Sequence, residues 1–254
     1  LIQVHGKALL IDPVFSERAS PVQSIGSKRF EVSHLYTVDD IPPVDAIIIT
    51  HDHYDHLDHQ TIKALAKKTK HFYTPLGVGE HLEHWGVDSN IITELDWWQH
   101  TYIDESIQLT CTPARHFSGR GLKRNQTLWC SYVLTTPTEK LFLGGDSGYD
   151  NTFQEIGSKF GPFDIAVLEA GQYDPKWPNI HMAPEETVQA ALDLNTSVLL
   201  PVHWGKFTLA MHAWNDPIDR VVAAAKQKQV TLTTPQIGEP VVANTNYPNS
   251  KWWQ

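Results

Sequence analysis

Ten consecutive residues, Thr50-His51-Asp52-His53-Tyr54-Asp55-His56-Leu57-Asp58-His59, carry four of the chain's 14 histidines with carboxylates interleaved. Imidazole is largely neutral near pH 7 and offers a good lone pair, so this mixture reads as a set of metal ligands. The competing reading is a solvated polar turn, and the flanking residues argue against it. Val44 to Thr50 is a short β-branched run of the kind that forms a buried strand. From Asp58 onward, Thr61, Ile62, Leu65 and Ala66 recur at helical spacing behind a side chain suited to N-capping. The cluster therefore occupies a strand-to-helix loop, where a rigid scaffold lets ligand side chains converge. His51 and His53 can point the same way from an extended segment, while Asp55 and His56 can serve a second centre as the chain turns. Such spacing suits two adjacent metals.

Four ligands are too few for two ions, and three segments downstream end on residues of the right type. Ile107 to Ala114 leads to Arg115-His116, Lys140 to Gly145 leads to Asp146, and Ser197 to Val202 leads to His203. Each places a potential ligand at the carboxyl end of a strand. Taken singly, His116 could be a loop histidine, Asp146 a turn former beside Gly144 and Gly145, and His203 a core histidine. Together with the loop they complete a matched set.

The elements that must hold these residues are legible from the pattern of the whole chain. In 254 residues, 41% are hydrophobic and 19% charged, with 9 Trp, which excludes a disordered or low-complexity polymer. The formal charge of −9 and the absence of any basic run make nucleic acid an unlikely partner. No apolar run approaches the ~20 residues needed to span a bilayer. Cys111 and Cys130 are too few for a disulfide framework and are expected to be buried free thiols. Strand-like runs cover Leu1–Asp12, Ala46–Thr50, His71–Thr74, Ile107–Thr112, Trp129–Thr135, Leu141–Leu143, Asp164–Leu168, Val198–Val202 and Val230–Thr233. Helical patterns cover Thr61–Lys68, Gly79–Trp85, Thr152–Lys159, Glu185–Leu194 and Pro217–Gln227. With no linker and no repeat, one domain spanning residues 1–254, made of two sheets covered by helices, is the economical architecture. Trp97, Trp98, Phe117, Trp129, Tyr149, Tyr173, Trp177 and Trp204 lie in or beside the ligand-bearing loops and are candidates to receive an acyl chain, Trp177 foremost.

In the order H-x-H-x-D-H, His, Asp, His, these residues resemble the metallo-β-lactamase superfamily. The stretches Asp12 to Pro21, Glu94 to Trp98, Gly145 to Tyr149, Phe160 to Asp164 and His203 to Phe207 are similar to one branch, the N-acyl-phosphatidylethanolamine-hydrolysing phospholipase D family. The resemblance implies an α+β fold, the αββα sandwich, with two mixed β-sheets flanked by helices. It assigns one metal to His51, His53 and His116 and a second to Asp55, His56 and His203, with Asp146 bridging both. Asp55 and the non-ligand His181 are its catalytic candidates, the histidine acting near the reacting centre. Two departures stand out: the strand with a Gly-His-(Ser/Thr) segment that usually precedes the first loop is missing, as is the longer N-terminal region of the animal phospholipases.

The chemistry this implies is hydrolysis by water bridging two divalent ions, directed at a phosphodiester such as an N-acylated phospholipid. Zinc suits the imidazole-rich set best, and Mn, Fe or Ni would also fit. A carboxylic ester or lactone hydrolase, a di-iron redox protein and a binding protein without turnover are the alternatives. The expected partner is a small-molecule or lipid substrate bearing a phosphodiester or ester, with peripheral membrane contact and a cytoplasmic or membrane-peripheral location. A targeting segment upstream of Leu1 stays open, and the sequence carries no signal of oligomeric state.

Overall fold

A computed structural model describes residues 1–31 and 36–254. In chain order its first strands are β1 (Ile2–Val4), β2 (Lys7–Ile11), β3 (Arg18–Ala19), β4 (Ser27–Lys28), β5 (Val44–Ile48), β6 (Thr69–Pro75) and β7 (Ile92–Leu95). The second half adds β8 (His100–Asp104), β9 (Ile107–Thr112), β10 (Ser131–Thr135), β11 (Lys140–Leu143), β12 (Phe163–Glu169) and β13 (Thr196–Val202). The α-helices are α1 (His59–Leu65), α2 (Gly79–His84), α3 (Thr152–Phe160), α4 (Pro184–Asp193) and α5 (Asp216–Lys228). Five strands form one sheet in the order β1-β2-β5-β6-β7, and six form another in the order β13-β12-β11-β10-β9-β8. Both are mixed, since β1 and β8 to β11 pair antiparallel while β5–β6–β7 and β11–β12–β13 pair parallel.

Side-chain alternation along the strands builds the layers. Successive residues of a strand face opposite sides of its sheet. In β5, Ala46 and Ile48 join Leu109, Cys111, Tyr132 and Leu134 in the cluster between the sheets, while Ile47 packs outward with Leu57, Ile62, Leu65 and Leu82 under α1 and α2. In the other sheet, Val133 and Phe142 face outward to Phe153, Ile156, Val188 and Val221 under α3, α4 and α5. The order helix, sheet, sheet, helix is the αββα sandwich.

Two strand expectations are corrected. Leu1–Asp12 is not one strand but a hairpin, because His5 and Gly6, with φ of 45° and 73°, form a two-residue turn that brings Val4 opposite Lys7. Positive φ at both positions is what the tightest hairpin turns require. Val230–Thr233 does not form a strand; it makes one isolated parallel bridge, Leu199 to Leu232, because it meets β13 only briefly. Four helices start and stop within a residue or two of their expected bounds; α1 ends at Leu65, three residues before Lys68, where a 3₁₀ turn over Ala66–Lys68 takes over. Asp58 caps α1 by accepting the Gln60 amide, and Pro184 opens α4.

Strand direction explains why ligand-type residues gather. Both β9 and β11 run antiparallel to β10, and β12 and β13 run parallel to β11. The carboxyl ends of these four strands therefore lie on one rim of the six-stranded sheet. The loop after β5 reaches the same rim from the other sheet.

Candidate metal centre

Local backbone geometry fixes the loop after β5. Within it, the His56 and Leu57 amides both donate to the His53 carbonyl at 3.0 and 2.8 Å, which curls the chain so that successive ligands face two directions. Across the rim, Gly145 adopts φ of 59°, and a Cβ there would sit 2.9 Å from Thr50 Cβ, so glycine lets Asp146 enter beside the loop. Gly171 plays the same part for His203, since its added Cβ would lie 1.8 Å from the His203 carbonyl oxygen.

Two tetrads result. His51, His53, His116 and Asp146 form one; Asp55, His56, Asp146 and His203 form the other; within each, the ligating atoms all lie within 4.8 Å of one another. In the first, His53 Nδ1 is 3.0 Å from His51 Nε2 and 3.2 Å from His116 Nε2, and Asp146 Oδ2 is 3.8 Å from both Nε2 atoms. In the second, His203 Nε2 is 3.1 Å from His56 Nε2 and 3.0 Å from Asp55 Oδ2, while Asp146 Oδ2 is 3.1 Å from His56 Nε2. All seven residues named from the sequence thus meet at one place, and Asp146 belongs to both groups.

The remaining ring nitrogens show which atoms face inward as lone pairs. His116 Nδ1 donates to the Ile180 carbonyl at 2.9 Å, and His56 Nδ1 donates to Asp12 Oδ2 at 2.8 Å. His51 Nδ1 lies 3.0 Å from the Thr50 hydroxyl, which itself donates to Asp12 Oδ2 at 2.6 Å. Each neutral imidazole has one proton, so these bonds leave the Nε2 atoms of His51 and His116 as bare acceptors aimed at other acceptors, while His56 Nε2 faces Asp146 Oδ2 at 3.1 Å and Asp55 Oδ2 at 3.6 Å. Such an array is repulsive alone and attractive around a cation. Its separations also fit one: a tetrahedral zinc with bonds of about 2.0–2.1 Å spaces its ligands by roughly 3.3–3.4 Å. Asp146 Oδ1, buried with no hydrogen-bond partner among the described residues, adds an unsatisfied acceptor on the same spot.

Electrostatics match that assignment. Burial, aided by the neighbouring histidines, pushes His51 far down and His116 down to about 3, so both rings are neutral and able to ligate at pH 7. Burial opposes a charge on His56, but Asp146 and Asp55 raise it well above the ordinary imidazole value, so the metal-free protein holds a proton where a cation would sit; burial would also raise the carboxyls of Asp55 and Asp146, but His56 and His203 hold both below the usual range.

His181 stands beside this centre. Its Nδ1 is 4.0 Å from Asp146 Oδ2 and donates to Glu169 Oε1 at 3.1 Å. Burial opposes its charge, yet Glu169 and Asp146 prevail and raise it to about 9. Glu169 itself is buried at the end of β12, accepts the Met182 amide at 3.0 Å, and keeps Oε2 free of hydrogen bonds 3.9 Å from His203 Nδ1. It forms a third cluster with Asp146, His181 and His203.

Asp12 and Glu169 were missed as site residues by sequence reasoning. Glu169 was findable, because Asp164–Leu168 ends on it as the other strands end on His116, Asp146 and His203. The signal for Asp12 is weaker: an acid after the apolar run of β2, here in a φ of 41°, a conformation that Asp and Asn tolerate best among residues with a side chain.

The aromatic expectation is corrected. A cavity of about 400 Å³ opens beside the Asp55–His56–His203 side, and none of the eight named aromatics lines it; its walls include Ile11, Val14, Leu143, Leu200 and Phe207. The named rings are used in packing. Trp177 Nε1 donates to the Gln172 carbonyl, Trp97 donates to the Trp129 carbonyl, Tyr149 stacks on Phe153, and Trp204 packs against Trp214, Trp252 and Trp253. Phe117 alone touches the centre, its ring 4.5 Å from that of His53. Cys111 and Cys130 are buried free thiols.

Comparison with known proteins adds an independent line. A sequence profile described as the beta-lactamase superfamily domain matches residues 7–204. An uncharacterized protein of Mycobacterium tuberculosis is 45% identical over 258 residues, covering 100% of this chain and 69% of that protein. An N-acyl-phosphatidylethanolamine-hydrolyzing phospholipase D of Caenorhabditis elegans is 29% identical over 256 residues, covering 94% of this chain and 72% of that enzyme. A solved metallo hydrolase from the archaeon Ignicoccus hospitalis shares the fold with a TM-score of 0.70 at 18% identity, over 94% of this chain and 91% of that one.

Proposed function

This chain belongs to the β-lactamase superfamily as a metal-dependent hydrolase of the metallo-β-lactamase fold, and from that premise we propose that it cleaves phosphodiesters at a dinuclear zinc centre. The observation that carries this reading is the pair of tetrads sharing Asp146, into which His51 and His116 turn bare imidazole lone pairs that a cation would satisfy. His51, His53 and His116 would hold one ion; Asp55, His56 and His203 would hold the other; Asp146 would serve both. When bound, such a pair supplies Lewis acidity and brings the pKa of water toward ~7. An N-acylated phospholipid is the phosphodiester favoured, because the motif stretches and the similarity to the Caenorhabditis elegans enzyme point the same way.

The chain's own residues then divide the work. Glu169 accepts from His181 Nδ1, which fixes the ring and leaves Nε2 without a protein partner among the described residues. Glu169 and Asp146 keep His181 protonated at neutral pH, so it can give the leaving alkoxide its proton from Nε2. Asp12 orients His56 directly and His51 through Thr50. Phe117 covers the His53 and His116 rings and limits their access to water.

The test is a hydrolysis panel with zinc-loaded protein, containing N-acyl-phosphatidylethanolamine, bis(p-nitrophenyl) phosphate, carboxylic esters and lactones. Phosphodiester cleavage that disappears in Asp55→Ala is expected. Turnover of esters or lactones alone, or activity that follows iron and not zinc, would overturn the proposal.

A further inference from the structure

The cavity beside the second tetrad has one polar side chain whose use is unexplained. Of the polar groups on its wall, Asp55, His56, Asp146 and His203 belong to the tetrad, and Asp12 is spent on His56 and Thr50. Gln172 is spent on its own chain: its amide nitrogen reaches the His203 and Phe207 carbonyls at 3.4 and 3.3 Å, and its oxygen accepts the Ala210 amide at 2.9 Å. Lys206 is left, and among the described residues it is the one Lys or Arg on that wall.

An ammonium carries three donors and needs acceptors or water for each. Among the described residues, Lys206 Nζ makes one hydrogen bond, to the Val14 carbonyl, and makes no ion pair; the Phe15 and Phe207 rings lie 6.0 and 5.7 Å away. The residue is exposed, so its remaining donors are free to meet a ligand at a cavity whose wall joins the tetrad to an apolar side of Ile11, Val14, Leu143, Leu200 and Phe207. Enclosure lowers its pKa to about 8, with Asp58 and Asp55 only partly offsetting, which still leaves it mainly cationic at pH 7. A cation with donors to spare on the wall that also carries Leu143, Val167, Leu200 and Phe207 can pair with an anion whose apolar part enters the cavity.

We propose that Lys206 pairs with an anionic group of the substrate while the adjoining cavity takes an apolar chain, so that the site selects amphiphilic anions over neutral molecules of the same length. This rests on the proposed hydrolase reading for the identity of the neighbouring tetrad. It deepens that reading by naming the specificity residue and the substrate class. A phosphate and a carboxylate share the required chemistry.

Calorimetric titration of the zinc-loaded protein with octylphosphonate, octanoate, methylphosphonate and 1-octanol tests the idea without turnover. In Lys206→Met, affinity for at least one of the two octyl anions should fall roughly tenfold, the usual weight of one charge-assisted hydrogen bond, while 1-octanol changes by less than about twofold. Lys206→Arg should restore most of the anion affinity, which a merely misfolded loop would not allow. Loss confined to the phosphonate assigns the phosphate class, and loss confined to octanoate assigns the carboxylate class; both support the pairing. Equal loss for the anions and the alcohol, or no loss for either anion, would overturn it, and methylphosphonate binding as tightly as octylphosphonate would overturn the role of the cavity. Charge-selective binding in a protein that hydrolyses nothing would uphold this inference and refute the proposed reaction, so the two fail separately.

Discussion

Replacing Asp12 by Asn should remove one metal ion and spare the other. Asp12 accepts from Thr50 N at 2.8 Å through Oδ1, and from the Thr50 hydroxyl and His56 Nδ1 through Oδ2. An Asn keeps the shape and tolerates the positive φ of 41°, so the backbone has no reason to move. Its amide cannot satisfy both sides. With the oxygen facing Thr50 N–H, the amide NH₂ meets His56 Nδ1 and forces the imidazole into the other tautomer, which turns a proton toward His203 and Asp55. With the amide flipped, its NH₂ opposes the buried Thr50 N–H instead. Loss of such an orienting partner typically costs 10–100-fold in metal affinity, roughly 1.4–2.7 kcal/mol, and the misplaced proton puts this case at the upper end. His51 depends on Asp12 only through the Thr50 hydroxyl, so the His51–His53–His116 group should weaken by less than about threefold. Competition against a chromophoric zinc chelator, with stoichiometry by emission spectroscopy after dialysis, reads both ions. Two equivalents held with wild-type constants would refute the tautomer argument.

Three further outcomes follow from the same geometry. His181→Ala should keep both ions and lose roughly 10²–10⁴-fold in kcat on phosphodiesters, the usual weight of a proton donor, and an unchanged kcat/KM would remove His181 from the reaction. In the wild type, activity that needs His181 protonated should fall as pH rises through its pKa of about 9; Glu169→Gln removes the group that raises this pKa, so the falling limb should move to lower pH, and an unmoved limb would break the link. Gly171→Ala must displace the His203 carbonyl 1.8 Å from the new Cβ, which should cost about 1–3 kcal/mol in urea unfolding and weaken the second ion; wild-type values for both would show that His203 does not need that glycine.

Much of this was legible because it was written locally. Within β5, β11, β12 and β13, Ala46–Ile48, Leu141–Leu143, Ile165–Leu168 and Val198–Val202 are unbroken, mostly buried apolar runs, and a ligand-type residue stands within three residues of each run's end. The gathering of His51, His53, Asp55, His56, His116, Asp146 and His203 needed only the rule that such strand ends converge. Edge strands were harder. His100 and Tyr102 of β8 are exposed, and β7 has one fully buried residue, so neither shows the periodicity of a buried strand. The β1–β2 turn was hidden because His5-Gly6 interrupts an otherwise even alternation. Asp12 was illegible for a different reason: its partners, Thr50 and His56, are 38 and 44 residues away, and nothing near Asp12 announces them. The aromatic residues misled because Trp and Tyr at loop positions carry the same signal whether they line a cavity or close a core.

The centre straddles the seam between the two sheets, with four contributors arriving from the five-stranded side and three from the six-stranded side. Each tetrad draws on both sides, so the first would form only when residues up to about 95 positions apart have docked and the second only when residues some 150 positions apart have done so. Bound there, the ions would cross-link the two sheets at their rim and add to the apolar cluster that already joins their inner faces. Chelation should therefore lower the unfolding midpoint of the sandwich as a whole.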